Sequence, residues 1–195
     1  MSLTAGSVSQ LLAAFRSSNP TPGGGSAAAL AGAVGASLLA MVAGLAKPRT
    51  STDEELAQLR KAGEHCAVLA TRLEALIDAD TDAYDLVVDA YRLPKATEAD
   101  KETRTARIQA ALRTATDVPL EVMRHCADAL AQQPAVARFG NQNAASDVNV
   151  AGAMLRAGLS GARENVEINL GSIKDSDYVA RVRAESSALA TNAAA

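Results

Sequence analysis

Apolar side chains recur every three or four positions along nearly the whole chain, and no stretch alternates with the two-residue period of a strand. Val8, Leu11, Leu12 and Phe15 mark a first amphipathic helix, and Arg16 to Gly25 reads as a loop. Residues 26 to 46 then form a central helix with two unlike sides. Leu30, Val34, Leu38, Met41 and Leu45 make a bulky stripe, whereas Ala28, Gly32, Ala36, Ala40 and Gly44 make a smooth one. A smooth side lets a second helix come close, and a helix apolar all round belongs in a core or a subunit interface. Ser17 to Ala46 holds no ionisable side chain and is long enough to cross a bilayer. Pro20, Pro22 and Gly23 to Gly25 interrupt its front, however, and Ala and Gly gain little in hydrocarbon, so the reading is a buried helix and no membrane span.

Lys47-Pro48 stops that helix, and Ser51 with Glu54, or Thr52 with Glu55, offers a capping box for a long helix with Leu56, Leu59, Cys66, Leu69, Leu73, Leu76 and Ile77 on its apolar side, as far as Tyr91. Leu93-Pro94-Lys95 breaks the pattern. The charged run from Glu98 to Arg107 leads into a helix bearing Ile108 and Leu112, and Asp117 or Val118 with Pro119 begins another bearing Val122, Cys126 and Leu130. Gln133 to Ala145 reads as a loop, after which Ser146 or Asp147 caps a helix with Val148, Ala151, Leu155 and Leu159. An irregular Asn-rich stretch and a final helix after Asp175 follow; residues 186 to 195 are expected to fray, and Met1-Ser2-Leu3 reads as a leftover extension. The prediction is one all-α domain over residues 1 to 195, an up-and-down helical bundle around a central Ala/Gly-rich helix.

Composition narrows the packing and the partners. Of 195 residues 44 are Ala and only 3% are aromatic, which suits closely nested helices. The 19 basic and 22 acidic residues leave a charge of −3 without a basic block. Nucleic acid therefore has no electrostatic attraction to the chain, and an anionic ligand needs a local basic pocket. Cys66 and Cys126 are too few for a disulfide framework, and no basic segment followed by an apolar core opens the chain; the expected home is a reducing cytoplasm.

Four segments carry candidate chemistry. Asn19-Pro-Thr-Pro-Gly-Gly-Gly-Ser26 is rigid, then permissive, then opens onto a helix N-terminus whose N–H groups lack intrahelical partners. It is either a site for an anion or a carbonyl oxygen beside a flat ligand, or a turn capped by Ser26; no Lys follows as in a Walker A loop, and no strand precedes as in a dinucleotide fingerprint. Asp78, Asp82, Asp85 and Asp89 fall on one side of a helix, with Asp80 off that side. They form a solvated face, a metal site, or a site where one carboxyl group has a raised pKa; Ala83 where a calcium loop needs Gly argues against calcium. His65-Cys66 and His125-Cys126 place neighbours about 100° apart on a helix, a poor grip for zinc, and neither Cys has an activating environment. Phe139 to Asp147 gathers amides and a carboxylate that either read a planar heterocycle or cap a helix.

Taken together these segments resemble the cyclodeaminase domain of formiminotransferase-cyclodeaminase and its stand-alone relatives, the serine-cycle methenyltetrahydrofolate cyclohydrolases. The resemblance is carried by Asn19 to Ser26 with the Ala/Gly helix, Ile77 to Tyr84, Leu93-Pro-Lys95, Ala115-Thr-Asp-Val-Pro-Leu120, Gly140-Asn-Gln-Asn143 with Ser146-Asp147, and Asn165-Val-Glu-Ile-Asn169. It implies an all-helical homodimer that acts without a metal or other cofactor on a one-carbon tetrahydrofolate. The reaction is either water addition to a methenyl bridge, giving 10-formyltetrahydrofolate, or attack of N10 on a 5-formimino group with loss of ammonia. Both pass through a tetrahedral carbon between N5 and N10 and require acid/base groups and positioning. With no room in 195 residues for a formiminotransferase domain, the cyclohydrolase is preferred. The roles implied are catalytic for Asp147 or one of Asp78, Asp82 and Asp85, which either accepts the paired N–H donors of the pterin or relays a proton, and substrate-binding for Pro22, Gly23, Gly24, Gly25, Ser26, Asn141 and Asn143. Lys95 and Arg104 become candidates for the glutamate tail. A folate binder without turnover and a purely structural helical protein are the rival classes.

Overall fold

Local sequence starts the helices much as the patterns suggest. Ser7 with Gln10, Thr52 with Glu55 and Thr97 with Asp100 each form a reciprocal capping box at the heads of α1 (Val8–Phe15), α3 (Asp53–Arg92) and α4 (Glu98–Phe139). The computed structural model describes residues 2–45 and 52–192 and adds α2 (Gly24–Gly44), a short 3-10 turn (Gln142–Ala144), α5 (Ala145–Leu170) and α6 (Ser176–Asn192). Lys47-Pro48, Ser51 and Ala46 lie outside the described residues.

Helices α2 to α5 form an up-and-down ring, each packed on its neighbours in the order α2, α3, α4, α5 and back to α2, and α6 lies outside against α4 and α5. The smooth side of α2 is what closes the ring. A Cβ on Gly35 would come 2.7 Å from Leu155 Cγ and 2.8 Å from the Ala151 carbonyl, and one on Gly158 would come 2.8 Å from the Ala28 carbonyl. Ala28, Ala29, Ala36, Leu39 and Val42 are buried there with Leu69, Leu73, Met123 and Leu155. Helix α2 is long and apolar enough to cross a membrane, yet its small-residue side is the bundle's own core. Its bulky side is left half open, with Val34, Met41 and Leu45 39%, 44% and 38% exposed; on α1, Val8 and Leu12 are 75% and 50% exposed.

Several expected boundaries move. Residues 98 to 139 are one helix, with Pro119 and Pro134 inside it, so Pro119 does not start a helix and Gln133 to Phe139 is not loop. Ala144 occupies the N-cap of α5 without a side-chain cap, so neither Ser146 nor Asp147 caps it. The Asn-rich stretch is regular helix to Leu170. Helix α6 reaches Asn192 rather than fraying at 186, with Ser186 fully buried. Ser2 and Leu3 are integral as well, because the Asp78 carboxylate accepts bonds from Leu3 N (2.6 Å), Ser2 Oγ (2.7 Å) and Thr4 Oγ1 (3.1 Å).

Candidate active site

On α3 the apolar side runs Cys66, Leu69, Leu73, Ile77, and the next turns of the same stripe bring Asp80, Tyr84 and Val87. A carboxyl group thus stands where the pattern calls for a hydrophobe, facing the ring rather than water. Asp80 meets the first turn of α2 there: its Oδ2 accepts from Ser26 N at 2.8 Å and lies 3.0 Å from Ser26 Oγ. Gly23 at the N-cap of α2 provides no side-chain cap, so the acid of α3 satisfies the third N–H of α2. A Cβ on Gly25 would coincide with the Asp80 carboxylate. The glycine is therefore needed for the approach of a carboxylate. Burial pushes the Asp80 carboxyl above the usual carboxylate range, and the two bonds from Ser26 offset that only in part.

A cleft of about 280 Å³ opens over this acid, lined by Pro20, Thr21, Gly23 to Gly25, Tyr84, Val87, Leu112, Ala115, Asn165 and Asn169. Pro119 determines how Asn169 points. Having no N–H, it frees the carbonyl of Ala115 four residues earlier, and Asn169 Nδ2 donates to that oxygen at 2.6 Å. Asn165 Nδ2 likewise donates to Gly161 O at 2.9 Å and lies 3.4 Å from the position of a Cβ on Gly24. With their nitrogens committed, both amides have their oxygens left for a ligand. Among the described residues no Lys, Arg or His lines the cleft.

The sequence candidates divide. Gly23, Gly24 and Gly25 line the cleft, and Pro22, joined to Thr21 by a cis peptide bond, sits within the same turn. Ser26 is fully buried and turns its hydroxyl into the protein, towards Ile77 O (2.9 Å) and Asp80. Asp78 faces the N-terminal segment; burial raises its carboxyl, but the bonds from Leu3, Ser2 and Thr4 outweigh that and hold it below the usual range. Asp82 and Asp85 are exposed. Lys95 is exposed in the α3–α4 turn, and Arg104 donates to Tyr91 O and stacks on its ring, 5.4 Å from the centroid. Arg104 is eight helical residues from the cleft residue Leu112, about 12 Å along α4, and Lys95 lies past the end of α3. Asn141, Asn143 and Asp147 form the opposite corner, between α4 and α5, where Asn141 Oδ1 accepts from Asn143 N at 3.0 Å. Asp147 precedes Asn165 by 18 residues on one helix, about 27 Å.

The cysteines and histidines stay apart from this site. Burial, and for Cys66 the charge of Asp128, pushes both thiols up to about 12. His65 pairs with Asp128 at 2.9 Å, and among the described residues no group of three His, Cys, Asp or Glu could hold a metal ion.

The family model for formiminotransferase-cyclodeaminase matches residues 7–188. Over 168 residues the chain is 42% identical to the methenyltetrahydrofolate cyclohydrolase of Methylorubrum extorquens, spanning 86% of this chain and 81% of that protein. It is 35% identical to the formimidoyltransferase-cyclodeaminase of Sus scrofa over 89% of its own length but only 32% of the porcine protein. The crystal structure of formiminotetrahydrofolate cyclodeaminase from Thermotoga maritima superposes with a TM-score of 0.85 at 26% identity, covering 96% of this chain and 89% of that one. Sequence over nearly its full length and fold together place this chain in the formiminotransferase-cyclodeaminase family.

Proposed function

We propose that the protein is an enzyme of one-carbon folate metabolism, a methenyltetrahydrofolate cyclohydrolase that interconverts 5,10-methenyl- and 10-formyltetrahydrofolate. The observation that carries this reading is the lining of the cleft: a carboxyl group poised above the usual range, two amides with their oxygens available and, among the described residues, no basic side chain. The methenyl bridge is an amidinium cation delocalised over N5 and N10, and such a lining favours it. Asp80 is the proton-transfer group. Oδ2 already has two Ser26 groups against it, so Asp80 has one oxygen left and suits a single proton better than the paired N–H donors of a pterin edge. Asp80 takes a proton from water as it attacks the bridge carbon and returns it to N5 as the N5–C bond breaks, while the hydroxyl left on that carbon gives up its own proton to solvent and becomes the formyl oxygen. The residues themselves hold and move these protons, without a cofactor. Thr21 and the three glycines let the flat ring approach, and the tail leaves along the α3–α4 arm towards Arg104 and Lys95.

The second reading, formiminotetrahydrofolate cyclodeaminase, is favoured by the fold match to the Thermotoga maritima enzyme. The same acid would then protonate the departing ammonia. Purified protein offered 5,10-methenyl- and 5-formiminotetrahydrofolate separately, with absorbance and ammonia followed together, distinguishes the two. The cyclohydrolase reading expects the larger kcat/KM on the methenyl compound; ammonia release at the larger value overturns it.

The working unit in this reading is a homodimer in the cytoplasm, in keeping with two free, buried thiols. Ala27, Ala31, Val34, Leu38, Met41 and Leu45 recur at spacings of four and three along the half-open side of α2, a charge-free seam of the kind that pairs with another helix. An antiparallel pairing of two α2 helices, each about 32 Å long, sets the glycine end of one beside the opposite end of the other. There a Cβ on Gly140 would lie 3.2 Å from Val42 Cγ1, so the corner bearing Asn141, Asn143 and Asp147 in the second copy approaches the cleft of the first.

A further inference from the structure

We propose that Ser26 is a positioning residue for Asp80 whose hydroxyl changes acceptor with the charge on that carboxyl group. One hydroxyl hydrogen faces two acceptors at nearly equal range, Ile77 O at 2.9 Å and Asp80 Oδ2 at 3.0 Å. It cannot serve both at full strength. Ser26 is fully buried, so no water competes for it. Ile77 O lies inside α3, where Thr81 N reaches it through the regular helical bond, and it stays satisfied when the hydroxyl leaves. Asp80 Oδ2, in contrast, keeps Ser26 N at 2.8 Å in either state.

The consequence follows from charge. With Asp80 ionised, Oδ2 is the stronger acceptor and takes the hydroxyl hydrogen as a second, charge-assisted bond. When a substrate atom gives up its proton, its bond to hydrogen breaks and an Oδ1–H bond forms; Oδ2 becomes a neutral carbonyl oxygen, and the hydroxyl hydrogen swings back to Ile77 O. The carboxyl group gains and loses a proton without leaving a buried donor unpaired in either state. This keeps Asp80 usable in both directions of a reversible hydration. The inference rests on Asp80 being the proton-transfer group.

Ser26→Ala and Ser26→Thr test it, the second keeping the hydroxyl. The carboxyl resonance of Asp80 in protein carrying ¹³C-labelled Asp, assigned by its loss in Asp80→Asn, is titrated alongside the pH profile of kcat/KM with 5,10-methenyltetrahydrofolate. Ser26→Ala is expected to move the carboxyl midpoint and the matching limb of the profile upward by about one pH unit, with KM changing less than about twofold. The loss of rate then shrinks as pH rises, and Ser26→Thr returns the midpoint towards wild type. A Ser26→Ala midpoint equal to wild type overturns the proposal. The Asp80→Asn rate is a separate outcome: full activity there removes Asp80 from the chemistry, whereas loss of activity together with an unmoved Ser26→Ala midpoint removes Ser26 alone.

Discussion

The two ends of the bundle are built from the same kind of sequence. At one, Gly23 to Gly25 lead into α2; at the other, Gly140-Asn-Gln-Asn143 leads into α5. Each joins a permissive turn to a helix N-terminus with spare N–H groups. At the α2 end a carboxyl group from α3 fills the space a Cβ would take, Pro119 frees a carbonyl that holds Asn169, and a cleft remains above them. At the α5 end the Asn141 side chain accepts from Asn143 N, and Asp147 lies in the first turn without capping it. A helix N-terminus becomes a site only when another element delivers a group that chemistry can use. The α5 end acquires such a role only if a second surface approaches it.

The largest test removes what distinguishes the α2 end. Asp80→Asn is expected to lower kcat/KM by about 10³-fold, as loss of a general acid/base does. Gly25→Ala is expected to approach that loss, because its methyl displaces the same carboxyl group; an active Gly25→Ala enzyme would show that the close approach is dispensable. Next comes Val34→Glu, which puts a charge in the α2 seam. Dissociation seen by analytical ultracentrifugation should accompany an activity loss of about 10²-fold if the far corner completes the site. A fully active monomer would confine the site to one chain.

Asp147→Asn is expected to cost about tenfold. A mixture of inactive Asp80→Asn and weakened Asp147→Asn chains sharpens the point, since in the dimer proposed above each mixed pair would hold one site with both residues intact. Recovery to about a quarter of wild-type activity after subunit exchange supports a shared site; no recovery places both residues in one chain's site. Arg124→Ala is the smallest. Arg124 grips Glu185 through Nε (2.6 Å) and Nη2 (2.9 Å) and Glu121 through Nη1 (2.7 Å), pinning α6 to α4. With the pair about one third exposed, its loss should lower unfolding free energy by only about 1 kcal/mol and leave turnover alone.

pH separates two of the carboxylates of α3, Asp80 and Asp78. Asp80, raised in the folded chain, contributes most to stability below the ordinary carboxylate pKa, and that contribution is lost as pH rises through its folded value. Asp80→Asn should therefore melt above wild type at neutral and alkaline pH while turning over far less. Asp78 runs the other way: lowered in the folded chain, it stabilises above the ordinary value and loses this as pH falls through its own. Acid should loosen Ser2 to Thr4 first, as measured by hydrogen exchange at Leu3.

How legible was the site? The glycine turn stood out because three consecutive glycines have few other uses, and the chain does place them in the cleft. Asp80 is inconspicuous beside Asp78, Asp82, Asp85 and Asp89, which share a face; its signal is one carboxylate interrupting the run Leu73, Ile77, Tyr84 and Val87. Pro119 misled for a related reason. A proline reads as a helix boundary, whereas the Ala115 carbonyl that Pro119 leaves without its helical donor is bonded by Asn169, 54 positions away in sequence.

By itself the sequence determined that the chain is helical, that Thr52 with Glu55 begins a long helix, and that α2 is smooth on one side, because these follow from contacts within about four residues. Only the tertiary structure decided which helix end became a cleft and which acid entered it. Those choices depend on helices distant in sequence meeting in one register, and burial, rather than residue type, turned Asp80 from a solvated carboxylate into one that can hold a proton.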